Sequence, residues 1–304
     1  MSRKRTTTFD VNGRTVFITG AARGIGAETA RRLHAKGANV ALVGLEPARL
    51  EELAAQLGEE RAVSFEVDVT DYDALQRAVR ATVERFGALD VAIANAGVQF
   101  NGALATAPVE QVERVLTVNL LGVWRTDRAV IEHISARRGY LLNISSLSAI
   151  THAPLLGAYS TAKAGVEALS DALRLETLPS GARVGCAYFG FIDTDLVRGG
   201  FAGPSGQAAR SQMPGFIGKP APLAKAIDAI EDGIERRAAR VWAPRWVGPM
   251  LALRGLVQPI MERGVERDPA PLAESLRLAD PSSGSGEVTE QDPVLGVSAR
   301  SHTP

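Results

Sequence analysis

The chain has 304 residues, a formal net charge of zero and 45% hydrophobic residues, the composition of a globular α/β protein with enough apolar side chains for one large core. The charge balance excludes a global basic surface for nucleic acid, and no nucleic-acid motif occurs. The single cysteine, Cys186, excludes an intramolecular disulfide and fits a reducing, cytoplasmic compartment, while the four scattered histidines suggest no metal cluster.

Residues 1–11, which begin Met1-Ser2-Arg3-Lys4-Arg5, read as a solvated arm, with neither a signal peptide nor a membrane-spanning run behind it. Val16-Phe17-Ile18 is a short β-rich run that feeds into Thr19-Gly20-Ala21-Ala22-Arg23-Gly24-Ile25-Gly26. A helical pattern follows to about Lys36 and stops at Gly37. In the order strand, glycine loop, helix, the glycines permit a tight turn and let backbone N–H groups approach a pyrophosphate. The helix N-terminus adds partial positive charge. Gly20, Ala22, Arg23, Gly24, Ile25 and Gly26 are therefore candidate cofactor contacts. Asn39–Val43 reads as a second strand and completes a βαβ unit, the context in which such a loop signals a dinucleotide site. Glu46 follows that strand, about 20 residues after Gly26, where a carboxylate accepts hydrogen bonds from a ribose and repels a 2′-phosphate. With no arginine directly after the strand, NAD is favoured over NADP, although Arg23 could serve a phosphate.

The alternation continues. Pro47 to Leu57 reads as helix and Val63 to Val67 as strand, ending at Asp68-Val69; Asp71 is placed to cap the helix that runs to about Phe86. Leu89 to Ala94 is an apolar strand closed by Asn95-Ala96-Gly97. A long helical pattern over Val109 to Arg137 carries Asn119. Tyr140 to Ile144 is a strand that ends in Ser145 and Ser146, and a helix follows from about Ala158 to Leu178. At i, i+4 spacing on that helix, Tyr159 and Lys163 share a face. A phenol ordinarily ionises near pH 10, and a nearby ammonium should lower that value. A hydroxyl from Ser146 could then polarise a carbonyl or alcohol oxygen, which makes proton transfer at a C–O group the expected chemistry. Arg183 to Tyr188 is a further strand, followed by Phe189-Gly190; Ala221 to Arg237 reads as helix and Val241-Trp242 as a last strand. Continuous apolar strands alternating with helices predict a doubly wound, Rossmann-type parallel sheet, spanning 12–243, with ligands beyond the carboxyl ends of its strands.

Asp195 to about Lys219 is Gly-, Ser- and Pro-rich and is expected to be an irregular substrate lid. Together with Phe100, Leu155, Leu156, Phe191 and Leu196 it suggests an apolar pocket for a hydrophobic alcohol or ketone. Residues 244–280 form a C-terminal extension whose part 244–261 is apolar, interrupted by Gly and Pro and flanked by arginines. Two readings stand for it: contact with a membrane surface, or packing against the domain or another subunit. Residues 281–304 have the composition of a disordered tail.

The pieces Thr19-Gly20-x-x-x-Gly24-Ile25-Gly26, Asp68-Val69, Asn95-Ala96-Gly97, Asn119, Ser146 and Tyr159-x-x-x-Lys163 resemble the classical short-chain dehydrogenase/reductase family over about residues 12–245. The resemblance implies an NAD(P)-dependent oxidoreductase with Tyr159 as general acid/base. It implies that Lys163 lowers the phenol pKa and holds the nicotinamide ribose, that Ser146 orients the substrate oxygen, and that Asn119 holds a water. Ser145 and Ser148 are competing serines; the thirteen-residue gap from Ser146 to Tyr159 is the family's usual one. Gly190, Ile192 and Thr194 match positions that contact the nicotinamide end. Phe189 stands where the family usually has proline, and it reads either as an aromatic ring near the pocket or as a packing residue. The resemblance also implies a homodimer or homotetramer formed through the helices bearing Asn119 and Tyr159. Alternatives are an NADPH-dependent 3-oxoacyl thioester reductase and a non-catalytic nucleotide-binding module.

Overall fold

Seven short runs rich in Val, Ile, Leu and Ala form strands, most of them buried on both faces as parallel sheets under helices require. They are β1 (Thr15–Thr19), β2 (Asn39–Gly44), β3 (Ala62–Glu66), β4 (Val91–Ala94), β5 (Tyr140–Ile144), β6 (Arg183–Phe189) and β7 (Arg240–Ala243). In the computed structural model, which describes residues 8–279 apart from Gln212 and Pro214, they form one parallel sheet in the order β3-β2-β1-β4-β5-β6-β7. Val16 pairs with Val40 on one side and Val91 on the other. The strand order therefore reverses between β1 and β4, and a crevice opens beyond their carboxyl ends.

The helices are α1 (Gly24–Ala35), α2 (Pro47–Leu57), α3 (Tyr72–Phe86), α4 (Val109–Leu116), α5 (Gly122–Ala136), α6 (Gly157–Glu176), α7 (Asp195–Gly200), α8 (Pro204–Ser211), α9 (Gly215–Gly218), α10 (Leu223–Arg236), α11 (Val247–Ala252), α12 (Arg254–Arg267) and α13 (Ala270–Ala279). One face of the sheet packs Val16, Ile18 and Leu42 against Leu33 of α1, Leu50 of α2 and Ile230 of α10. The other packs Phe17, Ala92 and Leu141 against Leu75 of α3 and Val130 and Ile134 of α5. Alternate residues of each strand thus serve opposite cores, as the period of two demands. Local chemistry sets the ends: Asp71 accepts a 2.9 Å hydrogen bond from the Ala74 amide at the start of α3, and Gly87 closes that helix in the left-handed region at φ +81°.

Several expectations are revised. The helical pattern from Val109 is not uniform, because Thr117–Leu121 forms a π turn between α4 and α5. The lid expected to be irregular contains the short helices α7, α8 and α9. Phe9 to Val11, read as part of a solvated arm, belong to the domain. The Phe9 amide donates to Glu235 O at 2.7 Å, the Arg14 guanidinium stacks 4.2 Å from its ring centroid, and Val11 is buried. In the extension, Val247 is fully buried, and Trp246, Met250 and Leu251 pack with it on Leu147, Ile150 and Tyr188. This part covers the domain. No described helix is long and apolar enough to cross a membrane. The remainder of the arm and the tail 281–304 lie outside the described residues.

Candidate active site

The glycine loop leaves β1 and enters α1 through Gly20 at φ +66° and Gly24 at φ +56°, conformations that favour glycine. A Cβ on Gly20 would stand 2.8 Å from Ala96 Cα, and one on Gly26 would collide with the Gly20 carbonyl oxygen. Two loops therefore meet without side chains between them. Asn95 holds them together: its Nδ2 donates to Thr19 O at 3.0 Å and Gly20 O at 3.1 Å. The Asn95 and Ala96 amides in turn donate to Thr19 Oγ1 at 3.0 and 3.2 Å. The Asn95 side chain thus braces the cradle from behind. Thr19 carries no distinctive local signal for this, since its two partners lie on β4's exit 76 and 77 residues away.

Beyond the loop lies a cavity of about 470 Å³ lined by Gly20, Ala22, Arg23, Glu46, Asp68, Val69, Ala96 and Gly97, all expected from the sequence. It is also lined by Glu110, Glu113, Arg114 and Val118 from α4 and the π turn, which no motif announced. Its volume and its glycine-walled floor suit a dinucleotide. Gly24, Ile25, Gly26, Asn95, Gly190, Ile192 and Thr194 do not line it. Thr194 lies over the loop, its Cγ2 3.6 Å from where a Gly24 Cβ would stand, and Ile192 is buried and bridges to Ala221. Glu46 sits at the rim and is held by two arginines, Arg23 at 3.0 Å and Arg49 at 3.1 Å. The sequence offers Arg23 as a phosphate partner; it does not announce Arg49, which reaches back from the first turn of α2.

At the carboxyl end of β5, Ser146 donates to Phe189 O at 3.4 Å, accepts from the Ser148 amide at 3.1 Å and shares a hydrogen bond with Tyr159. Of the competing serines, Ser145 is buried and donates to Lys163 O at 2.9 Å, which ties β5 to α6. Ser148 lies half-buried. Lys163 Nζ stands 5.6 Å from the Tyr159 ring centroid and donates to Ile144 O at 2.8 Å. The electrostatics differ from the expected lowering. Burial pushes the Tyr159 phenol up to about 12, with the Ser146 hydrogen bond opposing, and burial lowers the Lys163 ammonium to about 8. The ammonium points at a carbonyl rather than at the phenol, so desolvation outweighs its pull on the phenol.

Asn119 is fully buried in the π turn. Its Oδ1 accepts from Val98 N at 2.8 Å and its Nδ2 donates to Val98 O at 2.7 Å. The side chain thus spends one donor and one acceptor on Val98 and fixes the loop that leaves β4. A Gly97 Cβ would lie 3.1 Å from this amide, so the glycine lets β4's exit loop approach it.

A second cavity, of about 160 Å³, lies beside Leu155 and Leu156, one turn before Tyr159. Leu155, Leu156 and Phe191 line it as expected, with Phe201 and Met213. Phe100, Phe189, Leu196 and Ser148 do not. Phe189 is in the core against Ile144 and Ala243, because alternate residues of β6 point into it, and this corrects its placement in the pocket. Phe100 packs with Val115, Ala158 and Tyr159, and Leu196 is exposed. The cavity is also lined by Val265, Leu272 and Ser275 of the extension, which the sequence reading left without a role. Among the described residues no group of His, Cys, Asp and Glu is arranged to hold a metal.

Residues 14–203 match the family model described as short chain dehydrogenase. The trans-4-hydroxycyclohexanecarboxylate dehydrogenase of Sinomonas cyclohexanicum is 35% identical over 208 residues, 64% of this chain and 80% of that protein. The 3beta-hydroxysteroid dehydrogenase 1 of Eggerthella lenta is 32% identical over 224 residues, 71% of this chain and 86% of that protein. Among solved structures, a dehydrogenase/reductase from Sinorhizobium meliloti 1021 superposes with a TM-score of 0.69 at 27% identity, covering 78% of this chain and 96% of its own. The chain belongs to the short chain dehydrogenases, oxidoreductases that act on CH–OH groups with a nicotinamide cofactor.

Proposed function

We propose that the protein interconverts an apolar secondary alcohol and its ketone, with NAD as the preferred cofactor and Tyr159 as general acid/base. The observation that carries this reading is Lys163 buried on α6 with its Nζ 5.6 Å from the Tyr159 ring centroid, beside Ser146 and one turn from an apolar cavity. The nicotinamide cofactor supplies the hydride or accepts it. The chain supplies the rest. Gly20, Ala22 and the open end of α1 would hold the pyrophosphate, Glu46 the adenosine ribose, and Lys163 the nicotinamide ribose. Ser146 holds the substrate oxygen beside the phenol. With its pKa about 12 the phenol is protonated near neutrality and can give its proton to a carbonyl oxygen as reduction proceeds. In the oxidative direction it must lose that proton first, and the hydrogen bond from Ser146 favours the phenolate.

The preference for NAD rests on the Glu46 carboxylate at the cavity rim, which holds both nearby guanidiniums, Arg23 and Arg49, in ion pairs and can accept from the ribose hydroxyls. The apolar substrate rests on the lining of the smaller cavity. Two relatives named for ring alcohols fit that choice. We further place the protein in the cytoplasm, on its single buried thiol. Its oligomer forms through the π turn with α5, and through α6, where Leu121, Trp124 and Leu175 stand exposed. Tyr159→Phe tests the central claim. It is expected to abolish turnover of any alcohol or ketone while NADH fluorescence titration stays within about twofold of wild type. Turnover at the wild-type rate in that variant would refute the assignment.

A further inference from the structure

The smaller cavity is bounded on one side by the catalytic segment, Ala153 to Leu156, and on another by the lid, Phe191, Phe201 and Met213. Its remaining side is supplied by Val265, Leu272 and Ser275, from α12 and α13. The Phe191 and Phe201 rings meet edge to face at 4.8 Å, which stiffens the lid side. The polar groups around the cavity are already engaged. Gln99 donates to Asn101, Asn101 donates to Gly200 O, and Ser275 Oγ donates to Pro271 O. What faces the interior is therefore mainly apolar.

The extension is pinned to the catalytic machinery at three places. Trp246 and Val247 pack on Leu147 and Ile150, directly after Ser146. Gln258 Oε1 accepts from the His152 amide at 2.9 Å, beside the segment that walls the cavity. Arg254 grips Glu167 with two hydrogen bonds, at 2.6 and 2.9 Å, one turn beyond Lys163 on α6. Glu167 is buried and also accepts from Tyr188 Oη at 2.8 Å. An appendage that merely covered the surface would not need a bidentate arginine on the catalytic helix.

We propose that the C-terminal extension is the outer wall of the substrate pocket and sets its size, limiting the apolar part of the substrate to about one six-membered ring. This rests on the alcohol/ketone reading above. The size follows from volume: the cavity, partly open to solvent, measures about 160 Å³, close to the roughly 150 Å³ of an apolar cavity that accepts benzene. A fused polycyclic substrate fits only if the extension moves away. Arg254 acts as a positioning residue, holding α12 so that α13 presents Leu272 to the cavity.

The test is a size profile. Wild type, Leu272→Ala and Leu272→Trp are compared for reduction of acetone, cyclohexyl methyl ketone and 2-acetylnaphthalene with NADH and with NADPH. In wild type, cyclohexyl methyl ketone should have the highest kcat/KM. Leu272→Trp should lower its value relative to acetone by about tenfold or more, through KM. Leu272→Ala should raise 2-acetylnaphthalene relative to cyclohexyl methyl ketone by about tenfold, a gain that misfolding cannot produce. Arg254→Lys, which keeps the charge and loses the paired hydrogen bonds, should raise KM for the ring ketone more than it lowers kcat. Size profiles that coincide across wild type and both Leu272 variants would overturn the proposal while leaving the function intact. A wild type that binds NADH yet reduces no ketone and oxidises no alcohol would instead remove the function, and the pocket assignment with it.

Discussion

Replacing Lys163 by Met should change how stability depends on pH, by an amount the structure supplies. Lys163 is buried, and burial lowers its ammonium from 10.5 to about 8. At about 1.36 kcal/mol for each tenfold change, that displacement amounts to roughly 3 kcal/mol. The sign follows from proton counting. Below about pH 8 the lysine is charged in both folded and unfolded chains, so the folded state carries the whole cost of burying the charge. Between about pH 8 and 10.5 the unfolded chain holds a proton that the folded chain has lost, and folding becomes more favourable as pH rises. Above that window the cost is gone. Tyr159 works in the opposite sense, since its folded pKa is raised from 10 to about 12 and stability falls across that range. That contribution is common to both proteins and cancels to first order. Urea unfolding followed by circular dichroism, without cofactor, gives the difference at each pH. The stability of wild type relative to Lys163→Met should rise by about 3 kcal/mol between about pH 7 and pH 11. The lost hydrogen bond to Ile144 O shifts the whole curve but not its slope. A difference that stays flat with pH would show that Lys163 titrates as an exposed lysine and would refute the account of its burial.

Three further outcomes are expected. Gly26→Ala drives a methyl group into the Gly20 carbonyl and the Asn95 amide, so it should cost about 1–3 kcal/mol of stability in urea unfolding and weaken NADH binding by tenfold or more on fluorescence titration. Glu46→Ala removes the carboxylate between Arg23 and Arg49 at the rim, and the ratio of NADPH to NADH affinity should rise by about tenfold; an unchanged ratio would dismiss Glu46 as the discriminator. Trp124→Glu places a charge on the exposed face of α5, and if the proposed interface is right, light scattering should show a smaller assembly than wild type with cofactor binding retained.

Much of this molecule was legible because its signals are local. A strand that buries both faces is a continuous apolar run, as in Val16 to Ile18 and Tyr140 to Ile144, and the glycine loop announces itself between a strand and a helix. The Asp71 cap needs only three neighbouring residues. Features that depend on distant chain segments were not legible. The raised phenol at Tyr159 is a property of what surrounds it, and the i, i+4 spacing to Lys163 says nothing about how much water remains. Arg254 and Glu167 stand 87 residues apart, in segments that share no pattern. Phe189 could be read either as a pocket residue or as packing, and only its alternation within β6 assigns it to the core.

The Glu167–Arg254 pair also orders events during synthesis. Glu167 leaves the ribosome 87 residues ahead of its partner, within a helix that forms as soon as β5 and β6 can shelter it. Until Arg254 is made, Glu167 has the Tyr188 hydroxyl of β6 as a donor but lacks the cation that completes its burial. The nucleotide-binding sheet can be finished once β7 ends at Ala243, before α12 and α13 have been translated. A newly made molecule would then pass through a stage with its nucleotide-binding sheet complete while the smaller cavity still lacks the wall that Val265, Leu272 and Ser275 supply.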